Sequence, residues 1–144
     1  MPEIRPLRLA DRAQWGALWE GYLRFYRQRL PEELTQTTFA RLVEESRQPH
    51  GLVAEQDGTL IGLVHYLFHA SSWSLGDVCY LEDLYVDPAA RGAGVARALI
   101  KAVYAAADRA KVGTVYWLTQ EFNADARALY DTIARRTSFI RYER

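Results

Sequence analysis

Several features of specialised proteins are missing from this sequence. It has one cysteine, Cys79, so no disulfide can form within the chain, and this usage favours a reducing compartment. Its 18 basic and 18 acidic residues give a formal net charge of +0, which argues against a general nucleic-acid binder. We therefore expect a cytoplasmic protein that has no nucleic-acid partner.

Long apolar runs are also absent. The longest near-apolar stretch, residues 60–68, is interrupted by His65 and is too short to span a bilayer. Charged residues are scattered through positions 1–12, where a signal peptide needs an apolar run. A composition of 49% hydrophobic and 25% charged residues over 144 positions is typical of a globular chain. We expect one soluble domain, residues 1–144, with no membrane partner.

The spacing of apolar residues and the turn signals predict an α/β or α+β domain with a mixed sheet. Asp11 is the expected N-cap of the first helix, Pro6 restricts the first strand to a sheet edge, and Asp57-Gly58 predicts a hairpin turn. The predicted helices lie between Asp11 and Pro31 and over residues 37–46, 94–111 and 124–134. The predicted strands cover residues 4–9, 52–54, 60–68, 78–86, 114–119 and 139–142.

A glycine turn between strand 78–86 and helix 94–111 is the most informative stretch. Gly92 and Gly94 flank the first turn of the helix, where backbone N–H groups lack intrahelical partners and the helix dipole favours an anion. Arg91 and Arg97 can add charged contacts to phosphate. The alternative is a glycine-rich turn that holds no ligand. No P-loop pattern is present, and Arg97 stands where a dinucleotide fingerprint has its third glycine.

At these residues the sequence resembles a known family. The run Arg91-Gly92-Ala93-Gly94-Val95-Ala96 resembles the Arg/Gln-x-x-Gly-x-Gly/Ala signature of the Gcn5-related N-acetyltransferases (GNAT). Residues 80–86, Tyr-Leu-Glu-Asp-Leu-Tyr-Val, resemble the preceding strand in the spermidine/spermine (diamine) acetyltransferase branch, and residues 123–130 resemble the later cofactor and catalytic segment. The likeness covers essentially the whole chain. It implies a mixed, mostly antiparallel central sheet flanked by helices.

The resemblance also implies a cofactor site. Acetyl-CoA would be the acetyl donor, with its pyrophosphate on the glycine turn and its pantetheine amides paired with the end of the fourth strand. The asparagine of the later segment touches the cofactor in this family, although a plain N-cap is the alternative for it here. The implied cofactor residues are Leu84, Tyr85, Val86, Arg91, Gly92, Ala93, Gly94, Val95, Ala96, Arg97 and Asn123.

Two residues are candidates for catalysis. An alkylammonium has a pKa near 10.4, so it must lose a proton before it attacks, and Glu82 is the carboxylate predicted to accept that proton. The alternative is a structural or solvent-facing acid. The resemblance makes Tyr130 the proton donor to the departing thiolate, whereas its helical spacing with Leu129 and Ile133 would suit a core aromatic equally well. Asp83 is interpreted as structural.

The acceptor site is predicted to be walled by aromatic residues that can stack on an alkylammonium, with core packing as their alternative. These residues are Trp19, Tyr22, Tyr26 and Trp73, with Glu82 beside them. His65 and His69 have no metal-ligand partners at suitable spacing, and we expect no metal. Cys79 is interpreted as a small core residue, because direct attack by the amine needs no acyl-enzyme.

The expected function is an acetyl-CoA-dependent N-acetyltransferase that transfers an acetyl group directly to a primary amine of a small di- or polyamine or an amino-acid-like compound. Three alternatives stay open: acetylation of protein or histone lysines, an acyl-CoA-binding module without turnover, and a structural domain with an empty glycine turn. The apolar strand predicted at residues 139–142 would leave an exposed sheet edge, which proteins usually shield from solvent by packing or pairing. The family often meets that need by dimerising, so we expect a homodimer.

Overall fold

The computed structural model describes residues 1–144 and contains a five-stranded sheet with helices on both faces. The strands run in the order β1-β2-β3-β4-β5, and every neighbouring pair is antiparallel except the parallel pair β4–β5. This arrangement confirms the predicted mixed, mostly antiparallel sheet. The strands are β1 (Glu3–Pro6), β2 (His50–Gln56), β3 (Thr59–His69), β4 (Val78–Val86) and β5 (Val115–Tyr116), and the helices are α1 (Arg12–Phe25), α2 (Glu32–Leu42), α3 (Val95–Arg109) and α4 (Ala124–Ile133).

Alternation along β2 and β3 builds a core on each face of the sheet. Val53 and Leu63 belong to a cluster with apolar residues of α1 and α2, while their neighbours Ala54 and Val64 belong to a cluster with α3. All four side chains are fully buried. The positions that α3 buries recur at helical spacing: Val95, Leu99, Ile100, Val103, Ala106 and Ala107. The sheet is therefore covered on both faces, and α3 packs against β4 in one of the two core clusters.

Local signals in the sequence correctly predict several turns and edges. Asp57 and Gly58 have φ angles of 51° and 80°, the positive values that a tight hairpin turn between β2 and β3 requires. Pro6 lies in β1 at the edge of the sheet, where its missing N–H removes no interior ladder bond. The fourth strand, β4, has the predicted bounds of residues 78–86.

Four predicted features differ from the structure. Asp11 does not cap α1, because its carboxylate accepts from the Arg5 guanidinium and the Arg8 N–H instead. The second helix begins at Glu32 rather than near residue 37, since two glutamates directly after Pro31 suit a helix N-terminus. The fifth strand has two residues rather than six, and residues 139–142 form no strand. So short an edge offers them little to pair with.

Candidate active site

One edge of β4 is free where the strand approaches the glycine turn. β5 pairs with β4 only at Cys79 and Tyr80, so β4 continues to Val86 without a neighbour on that side. On its other side, β4 stays paired with β3 as far as the pair Gly62–Val86. Backbone groups along residues 82–86 are therefore open to an extended ligand that adds to the sheet as a strand would.

The turn after β4 presents free backbone N–H groups. Gly92 and Gly94 have φ angles of 85° and 81°, in the left-handed region that favours glycine. The Ala98 N–H donates to the Gly94 carbonyl at 3.0 Å and is the first with an acceptor, so the N–H groups of residues 92–97 have no backbone partner. No heavy atom lies within 4 Å of an ideal Cβ on either glycine. We call residues 92–97 the cradle, and its open space and helix dipole suit a phosphate.

Two arginines stand beside the cradle. Arg91 donates from Nε to the Val86 carbonyl at 3.1 Å, and its guanidinium carbon lies 5.6 Å from the centroid of the Tyr85 ring. Arg97 donates to the Thr132 hydroxyl of α4 at 3.0 Å. Each contact holds a guanidinium group in a defined position near the N-terminus of α3. An anion bound there would interact with both positive charges.

The free edge of β4, the cradle and α4 enclose a cleft of about 610 Å³. Every residue predicted to hold the cofactor lines this cleft except Ala93, which faces a separate, smaller cavity. The cofactor candidates on its wall are Leu84, Tyr85, Val86, Arg91, Gly92, Gly94, Val95, Ala96, Arg97 and Asn123. Residues far apart in the sequence are thus brought together in one space.

Tyr130 projects from α4 into the same cleft. Its ring meets Trp117 edge-on, with the centroids 5.3 Å apart, and it also packs against the core cluster on the α3 face. Burial raises the pKa of Tyr130 to about 12, so the hydroxyl keeps its proton at neutral pH. The ring therefore packs as a core aromatic would, and the side chain also lines the cleft, as the predicted proton donor must.

Asn123 immediately precedes α4 and lines the cleft. Its side chain makes no capping hydrogen bond to the helix, and its amide nitrogen lies 3.5 Å from the Thr119 hydroxyl. The side chain is therefore not used as an N-cap and remains available to a ligand.

Glu82 occupies an irregular position in β4. His65 pairs with Asp83 and Tyr66 pairs with Leu81, so Glu82 has no partner on β3 and forms a β-bulge. The residue is exposed and does not itself line the cleft, whose β4 wall begins two residues later at Leu84. Partial burial of the carboxylate, followed by the negative charge of Asp83, raises the pKa of Glu82 above its ordinary value. A carboxylate with a raised pKa is a better proton acceptor than an ordinary one.

The aromatic residues predicted to wall the acceptor site divide into two groups. Tyr22 and Tyr26 of α1 line the cleft, together with Phe25, which the sequence analysis missed. Trp19 is buried in the core, and Trp73 lies in the loop before β4 with 88% of its surface exposed. Neither tryptophan lines the cleft, so the structure does not place them in one wall with Tyr22 and Tyr26 as the sequence predicted.

Behind Tyr22 lies a chain of hydrogen bonds that the sequence analysis also missed. The Tyr22 hydroxyl is 2.6 Å from Asp83 Oδ1, and Asp83 Oδ2 is 2.9 Å from His65 Nδ1. The other ring nitrogen, His65 Nε2, accepts from the Trp15 indole N–H at 3.2 Å. A charged residue within an apolar strand was the only sign of this chain in the sequence.

The remaining reactive side chains are occupied or buried. Cys79 is fully buried, and burial raises the pKa of its thiol to about 11, so it is not a thiolate at neutral pH. His69 bonds to the Tyr116 hydroxyl. Nowhere do three or more His, Cys, Asp or Glu side chains come together in a group that could hold a metal ion. No helix is both long enough and apolar enough to cross a membrane.

Comparisons with known proteins agree with this geometry. The model of the acetyltransferase (GNAT) family matches residues 15–133. The chain is 37% identical over 143 residues to the D-amino-acid N-acetyltransferase HPA3 of Saccharomyces cerevisiae, covering 98% of this chain and 89% of that protein. It is 32% identical over 89 residues to the thialysine N-epsilon-acetyltransferase of Caenorhabditis elegans, covering 62% of this chain and 55% of that protein.

Solved structures with a similar fold are also known. The aminoglycoside N-acetyltransferase AAC(6')-Iy, solved in complex with CoA, superposes with a TM-score of 0.86 at 18% identity, covering 100% of this chain and 94% of that chain. The chain belongs to the acetyltransferase (GNAT) family. It is an N-acetyltransferase that uses acetyl-CoA as its acetyl donor.

Proposed function

We propose that the pyrophosphate of acetyl-CoA binds the free N–H groups of the cradle and that its pantetheine arm lies along residues 84–86 of β4. The observation that carries this proposal is the meeting of an unpaired strand edge with an open glycine turn in one cleft. Arg91 and Arg97 add positive charge, and Asn123, at the start of α4, adds a side-chain amide to the same cleft.

We further propose that the acceptor is the primary amine of a small compound, amino-acid-like or a di- or polyamine. Two relatives are named for small amino acids, a D-amino acid and thialysine. The aromatic side chains of Tyr22, Phe25 and Tyr26 line the cleft, and aromatic faces attract an alkylammonium. Acetylation of protein lysines is the alternative within the same chemistry.

The proposed chemistry uses Glu82 and Tyr130. Acetyl-CoA supplies the acetyl group as a thioester. Glu82 takes a proton from the ammonium, directly or through water, and the freed nitrogen lone pair attacks the thioester carbonyl carbon. As the carbon–sulfur bond breaks, the Tyr130 hydroxyl donates its proton to the sulfur, which leaves as a thiol. The new amide nitrogen then loses one further proton to solvent, Tyr130 regains its proton from solvent, and Glu82 releases there the proton that it accepted.

A thiol-release assay with acetyl-CoA tests this function. The acceptors compared are D- and L-amino acids, thialysine, spermidine and a histone-tail peptide. We expect turnover with one or more of the free small amines and less with the peptide. Higher kcat/KM for the peptide would establish protein acetylation instead. Binding of acetyl-CoA without turnover on any acceptor would indicate a binding module, and no thermal stabilisation by acetyl-CoA would indicate an empty glycine turn.

Substitution of Gly94 by alanine tests the cradle. A Cβ at this position would project into open space where the phosphate is proposed to lie, so we expect the Kd for acetyl-CoA to rise about tenfold, roughly the value of one charge-assisted hydrogen bond. Gly58→Ala is a matched control, because Gly58 has a φ angle of 80° and equally open surroundings in the β2–β3 hairpin.

Both alanine variants place a side chain at positive φ, which destabilises each by about 1–2 kcal/mol. Calorimetric titration should therefore separate them although their melting temperatures fall alike. Equal acetyl-CoA affinity in Gly94→Ala and Gly58→Ala would refute the cradle as the phosphate site.

We also propose a homodimer in a reducing, cytoplasmic setting. Phe139 and Ile140 are each 76% exposed, and Tyr142 is 87% exposed, so these side chains need cover even though they form no strand. Cys79 is buried and unpaired, as suits a reducing compartment. Light scattering at micromolar concentration should give twice the chain mass of 16.5 kDa, and a mass of one chain would contradict the dimer.

A further inference from the structure

The hydrogen-bond chain behind Tyr22 has no part in the steps above. Its inner members are enclosed between α1 and the sheet: Trp15 is 0% exposed, His65 1% and Asp83 9%. Tyr22 is the one member that lines the cleft. Three buried polar side chains thus form a chain of hydrogen bonds that ends at Tyr22, a residue in the wall of the proposed acceptor site.

The direction of every hydrogen bond in the chain follows from its first donor. The indole N–H of Trp15 can only donate, so His65 Nε2 must accept. The proton of a neutral imidazole then resides on Nδ1, which donates to Asp83 Oδ2. The other carboxylate oxygen, Asp83 Oδ1, accepts from the Tyr22 hydroxyl. The Tyr22 proton is therefore directed inward.

This arrangement orients the Tyr22 hydroxyl oxygen to accept a hydrogen bond from a ligand. With its proton committed to Asp83, its lone pairs are left for a donor in the cleft, and a hydrogen bond to an anion increases the electron density on that oxygen. Burial and the negative charge of Asp83 raise the pKa of Tyr22 well above its ordinary value, so the phenol is not itself deprotonated. A primary ammonium or amine has the N–H groups that such an oxygen would bind.

The charge of Asp83 points to the same ligand. The one basic side chain within ion-pair distance of Asp83 is His65, whose other ring nitrogen accepts from the Trp15 N–H, and no arginine or lysine forms an ion pair with Asp83. Burying a carboxylate without a permanent cation beside it is costly, and neither arginine nor lysine supplies one here. A cationic acceptor bound at Tyr22 would bring a positive charge to this carboxylate through one intervening oxygen.

We propose that the Tyr22 hydroxyl oxygen accepts a hydrogen bond from the acceptor's amino group, with Asp83 and His65 behind it as positioning residues. The proposal rests on the acetyltransferase function proposed above and names the contact that selects a charged primary amine. It assigns to Asp83 a role beyond support of the strand. An amide cannot replace that carboxylate, because Asp83 receives two donors and an amide presents one acceptor atom.

Steady-state kinetics of Tyr22→Phe test the proposal. The variant keeps the ring and loses one oxygen, so the KM for the acceptor amine should rise about 10- to 100-fold, the loss of one hydrogen bond to a charged group. The KM for acetyl-CoA should stay unchanged. Asp83→Asn should produce the same selective rise, because it disturbs the orientation of Tyr22. A merely structural role would leave both KM values in place and change only the melting temperature.

Tyr116→Phe is the matched control. It also removes a hydroxyl that bonds to an ionisable side chain, His69, at 2.7 Å, but Tyr116 does not line the cleft. An unchanged amine KM in a folded Tyr22→Phe variant, with the wild-type protein active, would overturn this inference and leave the proposed function intact. A wild-type protein that acetylates no amine would overturn both. If Asp83→Asn does not fold, Tyr22→Phe decides alone.

Discussion

Tyr130→Phe should lower kcat by up to about 10²-fold while the Kd for acetyl-CoA stays close to the wild-type value. The hydroxyl matters most as negative charge develops on the sulfur, so its loss falls on turnover rather than on binding. General acid assistance contributes about 10²–10⁴-fold, and the modest basicity of a thiolate places this case at the low end. With a pKa of about 12, the hydroxyl remains protonated throughout the working pH range.

The measurement is kcat at saturating acetyl-CoA and amine, with the melting temperature as the check on folding. Phenylalanine keeps the ring that packs against Trp117, so the fold should be little affected. A folded variant with wild-type kcat, under conditions where the chemical step limits the rate, would show that Tyr130 is a packing residue and that the acid lies elsewhere.

Glu82→Gln should lower kcat/KM for the amine by about 10²-fold at neutral pH, because glutamine cannot accept a proton. Glu82 works as a base only when ionised, so the wild-type rate should fall as the pH drops through its pKa. Burial and Asp83 raise that pKa, so the fall should begin above the pH expected for an ordinary glutamate. The variant should lack this part of the pH profile.

Glu45→Gln is the control for this substitution. Glu45 is exposed in the connection between α2 and β2, and the change in net charge is the same. It should leave the pH profile as it is in the wild-type protein. If Glu82→Gln retains the wild-type rate and pH profile, another group or water alone accepts the proton, and Glu82 is a solvent-facing acid of the bulge.

The glycine turn, where we propose that the cofactor binds, could be located from the sequence because its residues are neighbours in the chain. The end of β4, the turn and the start of α3 fall within residues 84–97, and the geometry of a helix N-terminus is local. The positive φ angles of Gly92 and Gly94 are those that only glycine adopts easily. Ala93 is the one predicted cofactor residue of this segment that does not line the cleft.

The acceptor side could not be predicted equally well. Trp19 and Tyr22 lie on the same helix, yet Trp19 is buried in the core while Tyr22 reaches the cleft. Apolar spacing identifies the buried face of a helix. It does not show whether a residue at the border of that face contacts the core or a cleft. The bulge at Glu82 has no local signal in the sequence either. It interrupts the alternation of β4, so that Leu81 and Leu84 both pack toward α3 while Asp83 faces α1.

By itself, the sequence determined the order of elements from β1 to α4, the hairpin at Asp57-Gly58 and the glycine turn, because each depends on backbone preferences of a few adjacent residues. Tertiary structure alone decided the length of β5, the absence of a strand at residues 139–142 and the chain from Trp15 to Tyr22. The hydrogen bonds of that chain join residues separated by 50, 18 and 61 positions. Such contacts exist only after β3, β4 and α1 have packed, and no local preference encodes them.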